Sequence, residues 1–452
     1  MTALAHLEQT LDGRLLRPDA DGFAALTARE FAARDTPPTA VAQVRTTAEV
    51  ATAVRAAREA GLPVAMRSGG HSYAHHSAGP GALVLDVRGL DTVTIDPEAM
   101  VGHAGGGVSA GAYSRAAGEH GLATGFGDTG TVGVAGIALG GGIGFLSRRD
   151  GLTVDNVLAA EVVLADGSVV TADADHHPDL FWALRGGGGS FGVVTRLTFR
   201  LRPTATVTGG MLALEPSPER LAAAAQAVLD APDELSAMVN VLVAPPAPFL
   251  PEAVHGRPVM LVLVCWSGAE ADAAAALRPL RALGEPLVDD VGPHPYVDML
   301  HGPPPSPQPL HPVMRTGFTD RLDEQWAATA LEALAGARTF AALNIRPMGG
   351  AIARVPAEAT AFAHRKRAVM ASVAAPVPDA ASIPVAEEWA DATAGALGLP
   401  GAGYVNFMSA TGAEDVAAAY PGAVLERLRR VKRHYDPENV FRFNHNVVPA
   451  DG

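Results

Sequence analysis

Arg67-Ser68-Gly69-Gly70-His71-Ser72-Tyr73 opens the part of the sequence that decides the fold. Thr131-Val132-Gly133-Val134-Ala135-Gly136 and Leu139-Gly140-Gly141-Gly142-Ile143-Gly144 complete it. Glycine tolerates positive φ and close backbone approach, so successive main-chain N–H groups can turn inward and form an anion-binding nest. A single glycine cluster is most simply a tight turn. Here clusters recur at Gly69-Gly70, Gly105 to Gly107, Gly125 to Gly144 and Gly186 to Gly192. Their repetition within one stretch points to a bound diphosphate.

Two familiar phosphate motifs fail. No GxxxxGK[ST] occurs, which leaves a P-loop hydrolase unsupported. Gly187, Gly189 and Gly192 spell GxGxxG, but they follow a helix signal and precede a strand signal, the reverse of a Rossmann site. A dinucleotide would have to be held by the loops of another fold.

Around the clusters, from Val41 to about Pro203, helix and strand signals alternate. Thr46 and Glu49 have capping-box spacing; Val50, Ala53, Val54 and Ala57 share a helical face, and Gly61 supplies a stop. Pro63 to Met66 reads as a short buried strand. Glu161 to Leu164 and Ser168 to Val170 flank Ala165-Asp166-Gly167 as a hairpin. A helix from Pro178 to Leu184 and a strand from Val193 to Leu201 follow.

From about 204 to 400, alanine-rich helical runs alternate with strands, and Pro303 to Pro309 reads as a proline-rich loop. Met260 to Cys265 suits a buried strand. Between Phe340 and Arg346, alternation puts Phe340, Ala342, Asn344 and Arg346 on one face, which is either solvated or the wall of a ligand cavity. Beyond Gly401 come a strand at Tyr404 to Met408, a helix from Ala423 to His434 and a turn at Asp436-Pro437. Arg427, Arg429, Arg430, Lys432 and Arg433 read as that helix's solvated face.

Composition narrows the function. Among 452 residues, 34 basic and 48 acidic side chains leave a net charge of −14, which offers no general footprint for nucleic acid. With 48% hydrophobic and 18% charged residues the chain is globular. One cysteine, Cys265, excludes an internal disulfide and a cysteine-built metal site. No secretory leader pattern and no 18-residue apolar run is found, so the expectation is a cytoplasmic protein without a membrane segment.

His71 and His75 stand four apart, with His76 adjacent, which on a helix would align two metal ligands. Gly69-Gly70 before them and Gly79-Pro80 after them argue against a helix, and no HExxH is present. No metal is expected. His75 and His76 read as solvated loop residues, and a histidine-based hydrolase stands as the competing class.

Together the three quoted blocks resemble FAD oxidoreductases of the vanillyl-alcohol-oxidase type, nearest their berberine-bridge-enzyme-like branch. The resemblance continues through Gly151-Leu152-Thr153-Val154-Asp155-Asn156, Phe181 to Gly187, Phe191 to Thr195, Tyr435 to Asn439 and Phe441 to Asn444. It implies an α+β fold: an FAD-binding domain from residues 1–203, a substrate domain at 204–400 whose antiparallel sheet is covered by helices, and a return of 401–452 to the FAD domain. It implies FAD held by Arg67, Ser68, Gly69, Gly70, Ser72, Thr129, Thr131, Val132, Gly133, Gly136, Leu139, Gly142, Gly144, Val194, Asn444 and Asn446. His71 matches the histidine bonded to the flavin 8α carbon, an attachment that strengthens the flavin as hydride acceptor.

The departures are as informative. Thr129 stands where many relatives carry a second, cysteinyl attachment, and Ile137 where doubly attached relatives carry histidine, so a single link is expected. Sugar- and alcohol-oxidising relatives show Tyr-x-Asn-Tyr, the last tyrosine accepting the substrate proton. This chain reads Tyr404-Val405-Asn406-Phe407, and Phe407 accepts no proton. Either Tyr404, Tyr73 or Tyr113 serves instead, or the substrate needs no strong base, which favours C–N or activated C–H oxidation over sugar oxidation. Val132 matches a position implied to admit oxygen beside the flavin, favouring an oxidase that releases hydrogen peroxide over a dehydrogenase. Asn344 and Arg346 fall where an amine-oxidising relative presents ionisable residues, and an arginine there suits an acidic or carbonyl-rich molecule. The implied partners are a small-molecule substrate and oxygen, with no nucleic acid and no membrane, in a monomer or homodimer serving secondary metabolism or catabolism. A flavin-bearing binding protein that has lost its base is the non-catalytic alternative.

Overall fold

A computed structural model of the chain describes residues 3–27, 31–32, 37–246, 250–300, 309–399 and 403–451. The proline-rich stretch 303–308 lies outside them.

Thr46 caps the helix Thr47–Glu59 by accepting the N–H of Glu49, and Gly61 leaves it at φ +67°. The buried stripe of Val50, Ala53, Val54 and Ala57 packs between two sheets. One is four-stranded, with Ala40–Gln43, Leu83–Asp86 and Val64–Arg67 parallel and Leu15–Leu16 antiparallel at the edge. The other is antiparallel and five-stranded, in the order Val93–Asp96, Val101–Gly105, Val193–Arg200, Val157–Val163, Val169–Asp173. Its last pair forms the expected hairpin, with Gly167 at φ +80°. The helix Pro178–Leu184 begins on proline, whose missing N–H costs nothing in the first turn.

Residues 206–374 build an eight-stranded antiparallel sheet. Thr206–Leu214, Pro258–Trp266, Leu235–Val243, Ala342–Pro347, Val369–Ala374 and Met314–Thr319 follow one another across it, and Val288–Asp289 and Gly292–Pro295 pair with the first. Helices Pro218–Leu229, Glu270–Arg281, Glu324–Ala335 and Ile383–Ala396 cover one face, where Val239, Val241, Leu343 and Ile345 are buried among them. Period-two alternation therefore sends Met238, Asn240, Asn344 and Arg346 to the other face. That face meets the glycine-rich segment: Met238 and Cys265 pack with Phe145 and Leu146, while Phe318 and Met370 pack with Ile143, Leu152 and Val154. Arg148 ties the two together, donating to the carbonyls of Leu235 at 2.8 Å, Ala231 at 2.9 Å and Met348 at 2.5 Å.

Two expectations are corrected. Tyr404 to Met408 is not a strand; Val405–Phe407 is a 3₁₀ turn, because the Asn406 amide bonds Ile137 O at 3.1 Å and the Tyr404 hydroxyl at 3.0 Å in place of a ladder. The helix Ala423–Tyr435 does not present all its cations to water. Lys432 is fully buried and donates to Ser190 O, Phe441 O and the Asp436 carboxylate at 2.6–2.9 Å. Arg427 lies 3.9 Å above the Trp182 ring. Among the described residues no helix is long and apolar enough to cross a membrane.

Candidate active site

The strand Val64–Arg67 delivers the His71 segment to the glycine-rich loops. Arg67 is buried and donates to Leu26 O; Ser68 Oγ donates to Gly106 O at 2.9 Å. A Cβ on Gly69 would stand 2.5 Å from Gly133 N and 2.8 Å from Thr131 O, and one on Gly133 would strike Ser68 Oγ. The two segments therefore touch through their backbones, which only glycine permits. Gly70 lies at φ +77°, and Ser72 Oγ accepts the His76 N–H at 3.3 Å. Val132 is half-buried, with its carbonyl bonded to Ala110 N–H at 2.8 Å. Gly136 faces open space on the helix Val134–Gly140, and Thr131 is exposed. Leu139 O accepts the N–H groups of Gly186 and Gly188, and the Val194 carbonyl lies against Gly106.

The amides of Gly142 and Gly144 are engaged within the protein, the first by the Tyr404 hydroxyl at 2.9 Å and the second by Ser147 Oγ at 2.8 Å. At the other end of the segment, Asn444 accepts from Ser190 Oγ at 2.9 Å. Asn446 Oδ1, His76 Nε2 and His445 Nδ1 are buried polar atoms without a hydrogen bond. Such atoms are costly to leave unpaired. Together with the glycine-lined approach they suit a polar, extended group such as FAD, and the residues present fit it.

His76 is corrected from a solvated residue. Its ring meets His445 edge-on at 4.7 Å, and burial, then the neighbouring histidines, push its pKa well below the ordinary value. The segment is not an α-helix, with His75 at φ +57°. Among the described residues no three His, Cys, Asp or Glu side chains gather as a metal would require. Cys265 is buried in the sheet, its thiol pushed up to about 12 by desolvation.

The candidate tyrosines separate. Tyr113 is a core residue, wholly buried edge-on against Phe126 and Phe199 with its hydroxyl 3.3 Å from Thr124 Oγ1, and cannot meet a substrate. The Tyr404 hydroxyl accepts three N–H groups, from Gly142, Ile143 and Asn406, while burial raises its pKa against them. Tyr73 stacks on Phe31 at 4.7 Å and meets Phe407 edge-on at 5.7 Å.

Phe407 in turn lies under the guanidinium of Arg346, 4.7 Å away. Arg346 is 5% exposed, so its face of the sheet is not a solvated one. Its Nε donates to Asn344 Oδ1 at 2.9 Å, Nη1 to Ile143 O at 3.1 Å and Nη2 to Asp128 Oδ2 at 2.6 Å. Asn344 donates to Asn240 Oδ1 at 2.6 Å across the strand pair. Thr129 Oγ1 holds the other Asp128 oxygen at 3.1 Å. Sequence reasoning missed Asp128 and Asn240. Asn240 was detectable as the one amide in the apolar strand Leu235–Val243; Asp128, alone among glycines, carried no signal.

Residues 38–173 match the family model for an FAD binding domain, and 403–448 match that for berberine and berberine-like proteins. The (R)-6-hydroxynicotine oxidase of Paenarthrobacter nicotinovorans is 31% identical, over 97% of each chain. The chain belongs to the berberine-bridge-enzyme-like FAD oxidoreductases. It is an FAD-dependent oxidoreductase, with the vanillyl-alcohol-oxidase type of fold. The solved 6-hydroxy-D-nicotine oxidase of Arthrobacter nicotinovorans superposes with a TM-score of 0.85 at 29% identity, covering 96% of this chain and 98% of that one. The glucooligosaccharide oxidase of Acremonium strictum, which carries a 6-S-cysteinyl, 8α-N1-histidyl FAD, superposes with a TM-score of 0.87 at 24% identity over both full lengths. The family fold is thus shared with enzymes acting on quite different small molecules.

Proposed function

We propose that this chain is an oxidase carrying FAD on a single bond to His71, with residues 1–203 and 401–452 holding the cofactor and 204–400 the substrate. One observation carries the reading. Tyr73, two residues from His71, touches Phe407 of the C-terminal return, and Phe407 lies under Arg346 of the sheet. This chain of contacts through one ring supports reading the His71 segment and the polar wall of Asn240, Asn344 and Arg346 as two sides of one site.

When bound, FAD supplies a hydride acceptor that oxygen regenerates with release of hydrogen peroxide. The chain's own residues line the substrate side with Asn344, the Arg346–Asp128 pair and the Phe407 face, and Val132 on the glycine segment supports an oxidase over a dehydrogenase. Phe407 takes no proton, Tyr404 offers an oxygen already met by three donors, and Tyr73 lies beside the Phe407 ring. The favoured substrates are therefore amines or activated C–H compounds, which lose hydride without prior O–H deprotonation. The absence of a thiol at Thr129 and the burial of Cys265 support a single link.

Acid precipitation of the yellow holoprotein tests the link: the flavin should stay with the pellet, and His71→Ala should release it. Anaerobic reduction by a panel of amines and alcohols, followed by peroxide assay on admitting air, tests the reaction. Flavin that no compound reduces would favour a binding protein. Flavin that is reduced but reoxidised by quinones and not by oxygen would favour a dehydrogenase.

A further inference from the structure

We infer that Asp128 is a built-in counter-ion that closes Arg346 to carboxylates, so that the site accepts neutral or cationic substrates and turns away acids. The inference rests on the proposed placement of substrate between the His71 segment and the sheet, and of the expected acidic or carbonyl-rich molecules it keeps the second and turns away the first.

The two residues come from different parts of the fold. Arg346 is on the sheet, and Asp128 is on the loop that leads into Thr131. Their side chains differ in access, 6% exposed for Arg346 and 29% for Asp128, so the acid is the more accessible member of the pair. Arg346 cannot turn another edge outward. Asn344 Oδ1 holds Nε, Ile143 O holds Nη1, and Phe407 covers its face. Asp128 is held as well, by Thr129 Oγ1.

Arginine recognises a carboxylate through parallel N–H groups on one edge. An incoming carboxylate would have to displace Asp128 or share the guanidinium with it, bringing two like charges to one cation. A carbonyl, amide or amine meets no such repulsion. Selectivity of this kind arises from an unfavourable contact with the wrong partner.

Benzoate and benzamide, equal in shape and different in charge, probe the idea. Each is titrated into full-length holoenzyme, with binding followed by calorimetry and by the visible flavin spectrum. The wild type should bind benzamide at least tenfold more tightly than benzoate. Asp128→Asn should tighten benzoate at least tenfold and leave benzamide within about threefold, Asp128→Glu should behave as the wild type, and adding Arg346→Gln to Asp128→Asn should abolish the gain. Asp128→Ser carries the same expectation as Asp128→Asn if the latter does not fold. A benzoate-to-benzamide ratio unmoved by neutralising Asp128, or benzoate undetectable in every variant, overturns the assignment. A calorimetric gain for benzoate with no change in the flavin spectrum keeps the counter-ion and instead overturns the placement of substrate beside the flavin.

Discussion

The guanidinium carbon of Arg346 lies 4.7 Å from the centre of the Phe407 ring, and the same ring meets Tyr73 and Tyr404 edge-on at 5.7 and 5.3 Å. Phe407 keeps part of its surface exposed, which leaves it able to take one added oxygen. Phe407→Tyr should fold normally and raise kcat/KM for alcohols at least tenfold relative to amines, since a placed general base contributes about 10²–10⁴ in rate. Steady-state kinetics on matched amine and alcohol substrates check it. An unchanged ratio would show that the missing hydroxyl is not what sets the preference.

Tyr404→Phe removes the oxygen shared by the Gly142, Ile143 and Asn406 N–H groups. A buried donor left unpaired costs about 1–3 kcal/mol, so chemical denaturation should show a loss of that order. If Tyr404 only positions the Gly142 segment, kcat falls less than tenfold and its pH profile keeps its shape. A hundredfold loss with the profile displaced would make it the base.

Lys432 and Asp436 form an ion pair with neither side chain exposed to water. Lys432→Met strands the carboxylate, and removing one partner of such a pair costs about 3–5 kcal/mol. Thermal unfolding should move down by several degrees. Because Ser190 is bonded both to Lys432 and to Asn444, the flavin-to-protein ratio of the purified protein should fall with it, as fewer chains become loaded.

Burial lowers His364 and His445 to about 4 and also depresses His76. Unfolded, these rings protonate near pH 6.5, at about the ordinary histidine value. The unfolded chain therefore binds more protons between the two values, and stability, whole above about pH 6.5, declines as pH falls towards about 4. His364 and His445 each add a slope of about 1.4 kcal/mol per pH unit within that window. Urea midpoints should be nearly equal at pH 7.5 and 6.5 and fall at pH 5.5 and again at pH 5.0, and His364→Gln should flatten the fall.

Local rules carried much of the fold. Proline at the start of 178–184, threonine before 47–59 and Asp-Gly in the 163–169 hairpin each state their structure within a few residues. The alternation at 342–346 likewise put Asn344 and Arg346 on one face. What escaped depends on distant partners. Five cations on one helix look alike until Ser190, 242 positions away, takes Lys432. Asp128 gains its meaning from an arginine 218 residues on. Tyr404 to Met408 reads as a short strand, yet the Asn406 side chain bonds Ile137 O where a ladder partner would stand.

The buried lysine on the late helix also has a consequence for biosynthesis. Lys432 joins Ser190 O to Phe441 O, so a ribosome must translate the whole eight-stranded sheet between residues 190 and 432 before that junction exists. The buried contact around Lys432 therefore forms only after the sheet of residues 206–374 has been made, whatever order the rest of the chain folds in.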